Sequence, residues 1–193
     1  MPKEVPNFQN STANTALIQH AKKTFALVEV DHPFEVMVNE NKESQNMDIG
    51  SVGYDTFNGQ LKHAMSAHSK VDQTTNELFV FAADRDVGKG YCSVFDENRK
   101  LKNSFSVPLS STRMIHEFLI TKKYAIVPDL PLEIDPFGAI LQNKFIVNFN
   151  KTATSRFGII PRDSRNGDNI KWFDVEPHYT FHFGGAWDSI NEN

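Results

Sequence analysis

Three histidines of this 193-residue chain stand in settings where an imidazole can do more than pack: His68 in SAHSKVD, His116 in RMIHEFLIT and His182 in YTFHFGGAW. A neutral imidazole is a metal ligand that suits Fe, Zn, Cu and Ni alike, so residue type does not choose the metal. No local signature such as H-x-x-x-H is present, and spacing alone is weak evidence for a site. Taken alone, His116 reads as an ordinary core or edge histidine of a hairpin. Taken together, widely separated histidines on successive β units are what a radial architecture needs if each unit sends one ligand to a central axis.

The elements that must position them read as short strands. His116 lies in an apolar run, 114–120, joined by a polar turn, 121–123, to a second run, 124–127. The period of two then sets His116 on the face opposite Ile115 and Glu117. His182 falls on another such strand. Upstream, 14–20 and 24–30 flank Ala21-Lys22-Lys23 as a hairpin; the second of these strands carries Glu29 and runs into Asp31-His32-Pro33, where Pro33 ends regular pairing before a third strand at 34–39. Further strands are expected at 47–57, 77–82, 90–95, 101–107, 144–148, 156–160 and 171–175. Asn58-Gly59, 96–98 and 163–168 are turns. The segments 1–12 and 40–45 are polar and aperiodic. Nowhere does an amphipathic helical pattern persist for three turns, so the chain reads as an all-β sandwich, barrel or propeller.

Composition limits the partners. A net charge of −4 and a pI near 6.0 supply no basic field, and no Lys/Arg cluster exceeds the pairs Lys22-Lys23 and Lys122-Lys123, which excludes nucleic acid. The single cysteine, Cys92, forms no internal disulfide and fits a reducing compartment. The N-terminus lacks a signal-peptide pattern and no apolar run approaches ~18 residues, so a soluble, cytoplasmic protein is expected. Sixteen phenylalanines suit a β core and also an apolar substrate pocket.

The strings TANTALI, FALVEVDHPFEV, SAHSKVDQTTNELFVF, VPLSSTRMIHEFLITKKYAIVPDLPL, SRFGIIPR and WFDVEPHYTFHFGGAWD run in order over nearly the whole chain. They resemble the carotenoid cleavage oxygenases, a family that includes the retinoid isomerase of the eye and the stilbene-cleaving dioxygenases. The resemblance implies a seven-bladed β-propeller holding a non-haem ferrous iron, Fe(2+), on its axis through four histidines. His68, His116 and His182 match three of those ligands. Glu29, in the ALVEVDHPF string, matches a glutamate that hydrogen-bonds a ligand histidine, fixing its tautomer. The implied partners are O2 and an apolar polyene or stilbene-like substrate, and peripheral contact with a membrane stays open.

The remaining polar residues have plainer readings. His20, His32, His63 and His178 are expected at the surface or in packing, Glu35 and Glu117 as solvent-facing strand residues, Glu176-Pro177 as a structural turn and Cys92 as a packing residue. Arg156 and Arg162, which bracket FGIIP, are expected in ion pairs. The family pattern F-H-x-x-N-A is broken here, with Gly185 where the amide would stand.

Seven blades need roughly 300 residues or more. The chain, 1–193, is therefore expected to be one partial propeller domain of three to four blades, with the fourth histidine outside it. Two functions follow. One is a dioxygenase cleaving a conjugated C=C bond of a carotenoid or apocarotenoid to carbonyl products, represented by an incomplete chain. The other is a truncated, catalytically inactive fragment that binds metal weakly or not at all.

Overall fold

A computed structural model describes residues 12–41, 46–84, 87–135 and 145–189. Among them there is no helix, and the strands form three four-stranded antiparallel sheets and one two-stranded hairpin. The first sheet runs β1 (Ala16–His20), β2 (Lys23–Leu27), β3 (Phe34–Asn41) and β4 (Asn46–Tyr54) in sequence order. The second repeats that order with β5 (Lys70–Val71), β6 (Leu78–Ala83), β7 (Lys89–Phe95) and β8 (Leu101–Pro108). The third is built from β9 (Leu119–Ile120), β10 (Tyr124–Asp129), β13 (Arg156–Pro161) and β14 (Lys171–Asp174). The hairpin of β11 (Leu132–Ile134) and β12 (Val147–Phe149) is inserted between β10 and β13. Successive four-stranded antiparallel sheets of this kind are propeller blades, so the described residues form an all-β, three-bladed part of a propeller.

The blades are held by strands buried on both faces. In β6, Leu78 and Val80 enter one core with Phe25, Leu27, Phe57 and Phe95, between blades 1 and 2. Phe79 and Phe81 point the other way, into a core with Phe118, Val127 and Ile160 between blades 2 and 3. A strand buried on both sides needs no polar alternation, which is why LFVFAA is apolar throughout. Ion pairs join blade 1 to blade 2 and blade 2 to blade 3, and another lies within blade 3. Arg99 pairs with Asp55 and lies over the Phe57 ring at 4.7 Å. Arg162 reaches Asp72 at 2.7 Å and Glu77 at 2.9 Å, and Arg156 reaches Asp129 at 2.9 Å, as expected for both arginines.

Three strand expectations fail near the site. The run 114–120 forms a ladder only at Leu119–Ile120. His116 therefore lies on no strand, and Ile115, His116, Glu117 and Phe118 are all buried rather than alternating. Side chains hold this segment instead. Arg113, 1% exposed, donates to Asp129 at 3.0 Å, Glu133 at 2.9 Å and the Thr154 carbonyl at 3.0 Å. His182 likewise lies in a stretch without ladder pairing beyond β14. The strand carrying Glu29 ends at Leu27, leaving Glu29 in a turn. The expected strand at 144–148 is seen as Val147–Phe149; residue 144, the segment 1–11 and residues 42–45 lie outside the described residues.

Candidate metal centre

Each histidine is placed by the way the chain enters or leaves a blade. His68 sits two residues before β5, at the inner edge of blade 2, and His116 three residues before β9, at the inner edge of blade 3. A parallel bridge between His68 and Glu117 joins these two entries. His182 arrives from beyond β14, where the Tyr179 hydroxyl donates to the Met114 carbonyl at 3.2 Å and Asp188 accepts from the Thr121 hydroxyl at 2.8 Å. The structure thus brings His68, His116 and His182 together, with one ring nitrogen of each within 4.8 Å of the others. The ring centroids are 4.6, 4.8 and 4.9 Å apart.

The polar surroundings leave one nitrogen of His116 and one of His182 turned toward the other rings. Glu29 bonds Nδ1 of His116, so Nε2 of that ring faces the cluster. Glu117 lies behind His182, its Oε2 3.3 Å from Nδ1 and accepting the Phe183 N–H at 2.9 Å. Burial, followed by the neighbouring His116, lowers the pKa of His68 below its ordinary value, which favours the neutral form that can act as a ligand. Glu117 behaves differently from its expected role. It is only 7% exposed, and Lys70 pairs with its other oxygen. Burial pushes its pKa up, but hydrogen bonds from Lys70 and the Phe183 N–H, with the Lys70 charge, leave it below the usual carboxylate value.

The other histidines stay out of the cluster. His63 is engaged by the Ala64 carbonyl and Ser93, His20 by the Asn76 carbonyl, and His178 by the Glu176 carbonyl, each ring contact lying between 2.7 and 3.1 Å. Cys92 is buried, and burial pushes its thiol up to about 12, so it is no thiolate ligand. Gly185 occupies the place of the expected amide, and the position its Cβ would take faces open space.

Histidines at the entries to two successive antiparallel blades, with a third from beyond the last strand, form an imidazole cluster in a propeller-type fold. A family model described as retinal pigment epithelial membrane protein (RPE65) matches residues 3–193, and the chain belongs to that family, the carotenoid cleavage oxygenases. Carotenoid 9,10(9',10')-cleavage dioxygenase 1 of Arabidopsis thaliana is 34% identical over 96% of this chain and 34% of its own length. The corresponding dioxygenase of Crocus sativus is 34% identical over 94% of this chain and 32% of its own. Among solved structures, lignostilbene dioxygenase of Pseudomonas brassicacearum superposes with a TM-score of 0.71 at 25% identity, covering 88% of this chain and 34% of that one. Cobalt-substituted Synechocystis ACO gives a TM-score of 0.74 at 20% identity over 94% of this chain and 38% of that one, a likeness of fold. The chain spans about a third of the length of the curated relatives it matches.

Proposed function

We propose that His68, His116 and His182 are three ligands of a non-haem Fe(2+) centre, with Glu29 positioning His116. In the whole protein this centre serves a dioxygenase that cleaves a conjugated C=C bond of a carotenoid or apocarotenoid to carbonyl products. The observation that carries the reading is the convergence of three imidazoles from separate segments in a chain whose relatives are named as carotenoid dioxygenases.

One pair of donors stands at ligand spacing. Two nitrogens bound cis on one metal at about 2.1 Å lie about 3.0 Å apart, and Nε2 of His68 is 3.0 Å from Nε2 of His116. Iron held there would supply the activation of O2. This chain's part is to present imidazole nitrogens, to fix the orientation of His116 from behind through Glu29, and to wall one side of the cluster with aromatic rings. Phe181 lies edge-on to His116 at 5.5 Å and Tyr179 edge-on to Phe181 at 4.9 Å.

A second reading, a catalytically inactive piece, is favoured for the 193-residue chain by itself, because the His182 side chain is 61% exposed. A metal facing water on that side lacks the exclusion and substrate orientation that cleavage needs. The test uses the chain purified anaerobically and titrated with Fe(2+) or Co(2+), then supplied with a carotenoid and a stilbene. Stoichiometric metal uptake, lost in His116→Ala and retained in His178→Ala, is expected, without aldehyde product above the iron-only blank. Failure to take up metal overturns the centre. Turnover abolished by His116→Ala would show that these three blades suffice for cleavage.

A further inference from the structure

His182 has no strand to hold it. The ladder of β14 ends at Asp174, and no strand pairing orients the backbone around the ring among the described residues. What lies against it is the carboxylate of Glu117, which came from sequence as a solvent-facing side chain and is instead buried. One oxygen, Oε1, pairs with Lys70 at the start of β5 in blade 2. The other, Oε2, accepts the Phe183 N–H at 2.9 Å and stands 3.3 Å from Nδ1 of His182. The Glu117 backbone bridges His68, and its neighbour is His116.

We infer that Glu117 is the positioning residue of His182: its carboxylate grips the main chain at Phe183 and so sets the third imidazole against the first two. The grip is principally on the backbone, since 3.3 Å is long for a charge-assisted bond and 2.9 Å is the ordinary length. Glu117 thus acts on His182 through the main chain, whereas Glu29 bonds the His116 ring itself. Lys70 compensates the buried charge from the opposite oxygen. One side chain thereby ties the inner strand of blade 2, the entry to blade 3 and the segment beyond β14. The metal arm of this inference rests on the proposed centre; the backbone arm does not.

The experiment has those two arms. In the metal-free 193-residue chain, amide hydrogen exchange at Phe183 is expected to quicken on the order of tenfold or more in Glu117→Ala. Glu117→Gln, which keeps an acceptor oxygen, retains most of the protection. The Val175 amide, bonded to the Ser155 carbonyl, serves as the unaffected control. In the second arm, Co(2+) titration is expected to show ~10–100-fold weaker binding and an altered visible spectrum for Glu117→Ala. Glu117→Gln restores the spectrum, and Lys70→Ala, which leaves Oε2 on the Phe183 N–H, weakens binding less than Glu117→Ala. Unchanged Phe183 exchange in Glu117→Ala, or a Lys70→Ala variant that reproduces both defects, overturns the positioning role in favour of a plain ion pair. A chain that takes up no cobalt overturns the metal centre, and Phe183 exchange then decides the role of Glu117 by itself.

Discussion

Nδ1 of His116 meets the carboxylate of Glu29 across 87 residues of sequence, and the opposite nitrogen of the same ring lies 3.0 Å from Nε2 of His68. A carboxylate on one ring nitrogen requires N–H there, so the lone pair is fixed on the other. Glu29 therefore decides which atom of His116 faces the cluster. Glu29→Ala is expected to weaken Co(2+) binding ~10–100-fold, and Glu29→Gln, which keeps an acceptor, to weaken it less. Calorimetric titration of the two variants beside the unsubstituted chain measures this. Equal affinities for all three would mean that packing alone orients the ring.

Arg113 is the largest fully buried side chain among the described residues, and Asp129, its partner, has no exposed surface. Asp129 also receives the Ser110 N–H at 2.9 Å, the Ser110 hydroxyl at 2.7 Å and Arg156 at 2.9 Å. Removing one member of so enclosed a set strands the others without water. Arg113→Ala is expected to cost about 3–5 kcal/mol of folding stability and to loosen the His116 segment that it pins. The urea midpoint reports the first effect and Co(2+) affinity the second.

His63 reports on pH. Its Nδ1 donates to the Ala64 carbonyl at 2.7 Å, so Nε2 accepts from the Ser93 hydroxyl at 2.7 Å. Burial first, with nearby His32 adding to it, holds its pKa below the ordinary 6.5. Unfolded His63 thus takes up its proton at a higher pH than folded His63. Its contribution to stability is fully present above the unfolded value and is lost as pH falls through the depressed folded one. Lowering the pH from about 7.5 to about 5.5 should lower the urea midpoint, and His63→Gln should flatten part of that slope. A slope unaltered by the substitution would assign the effect to the other histidines.

The β1–β2 turn is made by Ala21 and Lys22, with φ of 49° and 65°. Two left-handed residues form the hairpin turn whose twist matches the strands, a geometry that favours Asn-Gly. Each Cβ there costs about 1 kcal/mol. Lys22→Gly is expected to raise stability by about 0.5–1 kcal/mol without changing metal uptake. A lower melting temperature for this variant would show that Lys22 contributes contacts worth more than its backbone strain.

The sequence by itself determined the class of fold and singled out three candidate histidines. Strand, turn and strand recur at blade spacing, and β6 could be read from LFVFAA because an apolar run bounded by turns has few other uses. The matching strings named the ligand candidates through family resemblance, which no periodicity could have done. Tertiary structure decided how those histidines are held. His116 and His182 lie in segments that local pattern reads as strands, yet their backbones follow side-chain anchors: Arg113 to Asp129, Glu117 to the Phe183 N–H, Asp188 to Thr121. Glu117 escaped notice because alternation assigns it to solvent, while its burial comes from Lys70, 47 residues upstream, and the Phe183 N–H, 66 residues downstream. A carboxylate's partners at such separations are fixed only when blades pack face to face, since that packing removes the water that would otherwise serve both of its oxygens.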